Sequence, residues 1–175
     1  MSNIILIGFM GSGKTSCGKE LSRILNVGFF DTDEMIEQQQ NMTIADIFEK
    51  HGEAYFRKLE TELVESLIGT QIGVLSVGGG LAVTKGNDIL LKKLGTVVYL
   101  KAGKECLIKR LKGDSKRPLL AGGNLEEKIT SLMNAREDKY IETVADLKTV
   151  TDKADRKSTR LNSSHNVISR MPSSA

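Results

Sequence analysis

The stretch NIILIGFMGSGKTSCGKELSRIL, Asn3 to Leu25, joins an apolar run, a glycine-rich turn and an amphipathic segment with little between them. Asn3–Ile7 has the continuous, β-branched apolar character of a strand buried on both faces, while Lys14–Leu25 repeats its apolar residues at helical spacing. Between them GFMGSGKT, Gly8 to Thr15, has the form G-x-x-x-x-G-K-[ST]. Gly8, Gly11 and Gly13 allow the backbone to curl so that successive N–H groups point inward, where a Cβ would obstruct an approaching phosphate. The helix that starts here adds the positive end of its dipole. Lys14 then supplies a movable charge to the β- and γ-phosphates, and the Thr15 hydroxyl is placed to ligate Mg2+. Gly11, Ser12, Gly13, Lys14, Thr15 and Ser16 are therefore the expected binding segment for a nucleoside triphosphate.

Outward from this unit, short apolar runs alternate with amphipathic stretches, the pattern of a parallel sheet covered by helices. Strands are expected at Asn3–Ile7, Gly28–Phe30, Gly73–Val77, Thr96–Leu100 and Asp146–Val150. Helices are expected at Lys14–Leu25, Asp33–Gln39, Ile44–His51, Glu53–Ile68, Asn87–Lys93, Lys104–Leu111 and Leu125–Val144. Thr43 with Asp46, and Asn124 with Glu127, have the spacing of helix starts. The fold class is α/β, a three-layer α/β/α arrangement on a five-stranded parallel sheet. At 175 residues the chain has the length of one domain. No apolar run approaches the roughly 20 residues that span a bilayer, so a cytoplasmic protein is expected. Cys17 and Cys106 lie apart from any second Cys or His at metal-ligand spacing and read as buried free thiols.

Net charge is +3, but four of the 25 basic residues and only one of the 22 acidic ones fall in 155–175, which leaves 21 of each before that point. A neutral body gives no argument for a nucleic-acid or membrane partner, and a monomer acting on a small molecule is expected.

A phosphate loop alone does not name the acceptor of the phosphoryl group. FFDTDEMIE puts Asp31 and Asp33 at the C-terminal end of the second strand, the edge that faces the ligand crevice in open α/β sheets. One carboxylate there can reach the metal through water, which suits Asp31, while the other takes a hydrogen bond from an acceptor hydroxyl. Asp33 could equally be the cap of the following helix. In EAYFRKLETELV, Arg57 and Glu60 are three apart on one helical face, so Glu60 can orient the guanidinium; an exposed surface pair is the ordinary meaning of that spacing. LSVGGGLAV removes every side chain at Gly78, Gly79 and Gly80, directly after a strand, so that backbone N–H groups can reach a small ligand. KGDSKRPLLAGGN, Lys112 to Asn124, is longer than a compact connection needs and reads as a lid or as a plain surface loop.

Taken together, GFMGSGKT, FDTDEMIE, ADIFEKHGEAYFRKLE, SVGGG, KRPLLAG and AREDKYIETVAD resemble the shikimate kinases, in family order and spacing, from about Asn3 to Asp152. The resemblance implies a P-loop fold of the nucleoside-monophosphate-kinase type, ATP and Mg2+ as co-substrate and cofactor, and shikimate as acceptor. It implies that Asp33 contacts the shikimate hydroxyls and orients or deprotonates the attacking one. It implies that Arg57 and Arg136 hold the substrate carboxylate, that Gly78, Gly79 and Gly80 line the pocket, that Arg117 folds over the γ-phosphate as a lid arginine beside catalytic Lys14, and that Arg110 packs on adenine. The shikimate-binding region would then span about 33–60. Another small-molecule or nucleotide kinase of the same architecture is the first alternative. A catalytically weak P-loop binding module is the second.

The resemblance stops at Ala154, inside a segment that in the family continues over the adenine and into a last helix. The C-terminal stretch DRKSTRLNSSHNVISRMPSSA, Asp155 to Ala175, has neither helical period nor apolar face and is expected to be a disordered, non-native tail, read as translated adaptor sequence.

Overall fold

The computed structural model describes residues 2–112, 124–144 and 150–151. Chain order is β1 (Asn3–Ile7), α1 (Lys14–Leu25), β2 (Phe29–Asp31), α2 (Thr32–Gln40), α3 (Ile44–Leu67), β3 (Val74–Ser76), a 3-10 turn (Leu81–Val83), α4 (Asn87–Leu94), β4 (Gly95–Lys101), α5 (Lys104–Leu111), α6 (Leu125–Thr143) and β5 (Val150–Thr151). The expected lid, 112–124, lies outside the described residues except at its two ends, and so does the tail, 155–175.

The strands form one five-stranded sheet in the order β2-β3-β1-β4-β5, all pairs parallel. β1 is central, with Ile5 opposite Leu75 on one side and Val97 on the other. Its side chains divide by parity, as the pleat requires. Ile5 and Ile7 join a core with Val64, Leu91, Leu107, Ile129 and Tyr140, beneath α3 to α6. Ile4 and Leu6 join a second with Leu21, Val98 and Leu100, beneath α1. A strand buried on both faces needs apolar residues at consecutive positions, and this explains the unbroken IILI. The three expected layers are present.

Many element ends move by a residue; of the last expected strand, Asp146–Val150, only Val150 lies among the described residues, in β5, and two other differences bear on the site. β2 runs one residue later than Gly28–Phe30, so Asp31 ends the strand and caps α2, accepting the Asp33 N–H at 3.1 Å. The capping role considered for Asp33 thus belongs to Asp31, and Asp33 stands in the first turn. The helices expected at Ile44–His51 and Glu53–Ile68 abut as α3, bent at Gly52, whose φ of 80° and ψ of 171° break the helical path. A Cβ at Gly52 would meet nothing within 4 Å, so the backbone angle rather than space requires glycine here. Thr43 and Asp46 form the expected reciprocal cap of α3, whereas Asn124 accepts from the Glu126 N–H and reaches Glu127 through its Nδ2. Cys17 and Cys106 are half-buried, and neither forms a disulfide among the described residues.

Asn3 closes the end of the sheet remote from the phosphate loop. Its buried amide donates to the Thr70 and Leu94 carbonyls, and its Oδ1 accepts from the Ile72 and Gly73 N–H groups. Truncation strands partly buried backbone groups on both neighbouring segments. Asn3→Ala is expected to lower the free energy of unfolding by about 3 kcal/mol, against about 1 kcal/mol for loss of the exposed cap in Thr43→Ala. Urea unfolding of the two variants checks the order.

Candidate active site

The glycine-rich turn wraps as its sequence requires. Gly13 stands at φ 97°, immediately before α1, a backbone conformation that opens the loop to a phosphate and that a side chain would strain. Lys14 is buried, with Nζ donating to the Gly8 and Phe9 carbonyls at 2.9 and 3.0 Å, so the ammonium is held across the turn. The Ser12 Oγ is buried without a hydrogen-bond partner among the described residues, a polar group suited to an oxygen-rich ligand. Thr15 and Ser16 are exposed on the first turn of α1. The Thr15 hydroxyl donates to Asp31 Oδ2 at 3.1 Å, so two oxygen donors from separate elements meet beside the phosphate cradle. That donor set fits Mg2+, which takes one or two protein oxygens and completes its shell with phosphate and water. Among the described residues no group of three or more His, Cys, Asp or Glu gathers elsewhere as a metal site. Arg110, exposed on α5, donates to the Gly11 carbonyl at 3.2 Å, which sets its guanidinium at the rim of the loop. Arg117 lies outside the described residues.

Across the sheet edge lies a second, charged half. Asp33 Oδ1 and Glu60 Oε1 each come within 2.6 Å of the point where a Cβ on Gly78 would sit, and a Cβ on Gly80 would fall on the Arg57 guanidinium. A side chain at either position would push these charged groups aside, so the two glycines let them lie against the turn. Of the three backbone donors expected there, the Gly78 N–H is taken up by Thr32 Oγ1 at 2.9 Å. Gly79 touches the phosphate loop instead, a Cβ there lying 3.3 Å from the Met10 nitrogen. The triple glycine therefore connects the two halves.

Glu60 is fully buried and binds Arg57 Nη1 at 2.6 Å. Glu53, half-exposed just past the Gly52 bend, takes Arg57 Nη2 at 2.7 Å and Nε at 3.1 Å. Arg57, expected to hold a substrate carboxylate, is thus already forked between two carboxylates. The outer one is the more easily displaced, since a half-exposed pair is worth little. Arg136 on α6 is 8% exposed, and its Nη1 has no hydrogen-bond partner among the described residues. A buried guanidinium nitrogen left in that state is a ready donor for an anion. Burial raises the Glu60 pKa to about 7; Arg57 and Arg136 pull it down, and Asp33 adds to the rise. Burial alone would depress the Arg57 pKa, but Glu60 and Glu53 outweigh it and raise it.

The structure brings together Lys14, Thr15 and Asp31 on one side and Asp33, Arg57, Gly78, Gly80 and Arg136 on the other. Sequence reasoning had Glu60 as a partner for Arg57 but not as a buried group. The available signal was its place between Phe56 and Val64, where a surface carboxylate does not belong. Thr32, Glu53 and Tyr140 were missed. Tyr140 is buried on α6, four residues beyond Arg136, and its hydroxyl donates to the Gly79 carbonyl.

A parallel sheet with a phosphate loop at the end of its central strand, beside a buried cluster of acids and guanidinium groups, defines a P-loop phosphotransferase. The shikimate kinase family model matches residues 10–168, and the chain belongs to that family. A shikimate kinase of Geobacter sulfurreducens is 44% identical over 146 residues, 83% of this chain and 80% of the relative. Among solved structures, a shikimate kinase from Acinetobacter baumannii in complex with shikimate is 35% identical, with a TM-score of 0.82 over 97% of this chain and 89% of that one. A shikimate kinase from Bacteroides thetaiotaomicron is 30% identical, with a TM-score of 0.83 over 96% and 97%.

Glu60 gives a pH signature. A folded-state pKa raised from 4.5 to about 7 means that its contribution is fully present below pH 4.5 and is lost as pH rises through about 7. Glu60→Gln is therefore expected to flatten the decline in unfolding free energy between pH 5 and pH 8. Urea titrations at the two pH values measure this; an unchanged slope would place the group's titration elsewhere.

Proposed function

We propose that this chain transfers the γ-phosphoryl group of ATP to the 3-hydroxyl of shikimate, giving shikimate 3-phosphate and ADP in the route to chorismate and the aromatic amino acids. The observation that carries the reading is the meeting of Asp33, Arg57, Glu60 and Arg136 around Gly78–Gly80, one loop away from the phosphate cradle. An acceptor with hydroxyls at one end and a carboxylate at the other matches that division of charge. Guanidinium forks suit the carboxylate, and Asp33 suits the hydroxyls.

In the reaction the acceptor hydroxyl oxygen bonds to the γ-phosphorus, the bond from that phosphorus to the β-phosphate oxygen breaks, and the hydroxyl proton leaves. Asp33 orients the hydroxyl and is placed to take the proton. Lys14 stands on the phosphate loop, where charge builds on the transferring group, and the N–H groups of the loop share that load. Thr15 and Asp31 would hold Mg2+, which would supply neutralisation of phosphate charge. Arg110 stands at the nucleotide rim, and Arg117 is assigned to the γ-phosphate from the resemblance. The described site residues, Gly8 to Arg136, all come from one chain, and a monomer is part of the proposal. Among the described residues no helix is long and apolar enough to cross a membrane; a cytoplasmic location is part of the proposal.

Shikimate-dependent release of ADP by this 175-residue chain is the direct test. Asp33→Asn is expected to leave ATP binding nearly intact and to cut turnover by about two orders of magnitude. Arg136→Ala is expected to raise the KM for shikimate far more than that for ATP. Equal effects on both substrates would argue against a carboxylate clamp.

A further inference from the structure

Thr32 carries no charge, yet it stands between two aspartates that do. β2 and β3 pair as far as Asp31 opposite Ser76, and the next residue, Thr32, already opens α2. A helix turns its carbonyls along its own axis, so the ladder on this side of β3 has no further backbone acceptor to offer. The Val77 N–H points the other way, to the Leu6 carbonyl of β1. The Gly78 N–H faces the departing chain, and Thr32 Oγ1 accepts it at 2.9 Å. A side chain thus replaces a carbonyl, and the pairing of the two strands is carried one step further, to the crevice itself. Thr32 is fully buried, so the bond lies out of reach of solvent.

The bond joins two parts on which the acceptor half depends. On one side is the corner where Asp31 caps α2 and Asp33 stands in the first turn. On the other is Gly78, against which Asp33 Oδ1 and Glu60 Oε1 lie, each 2.6 Å from the place of a Cβ. Asp33 therefore rests on the same glycine whose N–H is held by its neighbour in sequence. A carboxylate on the first turn of a helix is placed only as well as that turn is supported.

We propose that Thr32 is a positioning residue: its hydroxyl pins the first turn of α2 to Gly78 and so sets where the Asp33 carboxylate stands relative to the acceptor hydroxyl. The inference rests on the assignment of Asp33 to that hydroxyl. A threonine present only to fill the core would need its methyl and not its oxygen. Thr32→Val keeps the shape and removes the acceptor, whereas Thr32→Ser keeps the oxygen and removes the methyl.

The test is shikimate-dependent ADP release, with calorimetric titration of shikimate and of ATP, on the wild-type chain, Thr32→Val, Thr32→Ser, Asp33→Asn and the double variant of Thr32→Val with Asp33→Asn. Thermal melts establish that each is folded. Thr32→Val is expected to lower turnover about tenfold, since a small displacement of a reacting group is costly, and to change ATP affinity less than twofold. Thr32→Ser is expected to keep turnover within twofold of the wild type while melting lower, through loss of a buried methyl. The double variant is expected to turn over within twofold of Asp33→Asn, because a residue acting through the Asp33 carboxylate has nothing left to position. Wild-type turnover in Thr32→Val, a loss in Thr32→Ser as large as that in Thr32→Val, or a full tenfold loss carried into the Asp33→Asn background would each overturn the proposal. Should Thr32→Val not fold, Thr32→Ala against Thr32→Ser isolates the same oxygen. If the wild type binds both ligands without turnover, the same comparisons are read in shikimate affinity, with the same order expected. A wild-type chain that binds ATP but not shikimate removes the acceptor assignment itself, and the inference with it.

Discussion

A carboxylate without access to water, Glu60, is tied to a guanidinium at 2.6 Å, and the acceptor half of the molecule is arranged around that pair. Removing both charges from water is costly, and the attraction between them repays the cost only where geometry and neighbours cooperate. The neighbours here are Asp33, which opposes ionisation of Glu60, and Arg136, which favours it. Two acids and two bases thus share a small volume, with Glu53 closing the outer side of Arg57. The arrangement sets where Arg57 points, keeps Asp33 close to the turn, and leaves one nitrogen of Arg136 for something else to satisfy.

The nucleotide half depends on different physics. There the decisive groups are backbone N–H donors, and side chains are few: a buried ammonium on two carbonyls, and a threonine hydroxyl on an aspartate. Local backbone geometry suffices to build such a site, so a run of eight residues specifies it. The acceptor half needs α2, α3, the triple glycine and α6 to arrive from four places in the chain. Its precision depends on tertiary packing, and the third core cluster, Ile36, Ile47, Phe56 and Leu63 between α2 and α3, supplies much of it.

That contrast explains what could be read from sequence. β1, α1 and α5 matched residue by residue, because unbroken apolar runs and 3.6-residue periods mark them sharply. The Gly52 break was legible because a glycine inside an amphipathic run is a poor helix former, and there the helical path does break. β2 was displaced by one residue: a polar Asp31 at a strand end looks like the start of a loop until its side chain is seen capping the next helix. Among site residues, those bearing an expected charge near a strand end were found. Glu60 was noticed but not its burial, since the depth of a charge depends on what other segments lay over it. Tyr140 offered only an aromatic residue in a helix, indistinguishable from any other core position.

The close approach at Gly78 and Gly80 has a genetic side. Neither residue carries a functional group, yet one added methyl at Gly78 meets two carboxylates and one at Gly80 meets a guanidinium. A single-base change at either codon that adds a side chain must displace a charged group of the site, so it reaches the acceptor half without touching any residue that carries chemistry. In a survey of alleles that alter acceptor affinity, two codons with no chemistry of their own would belong to the site.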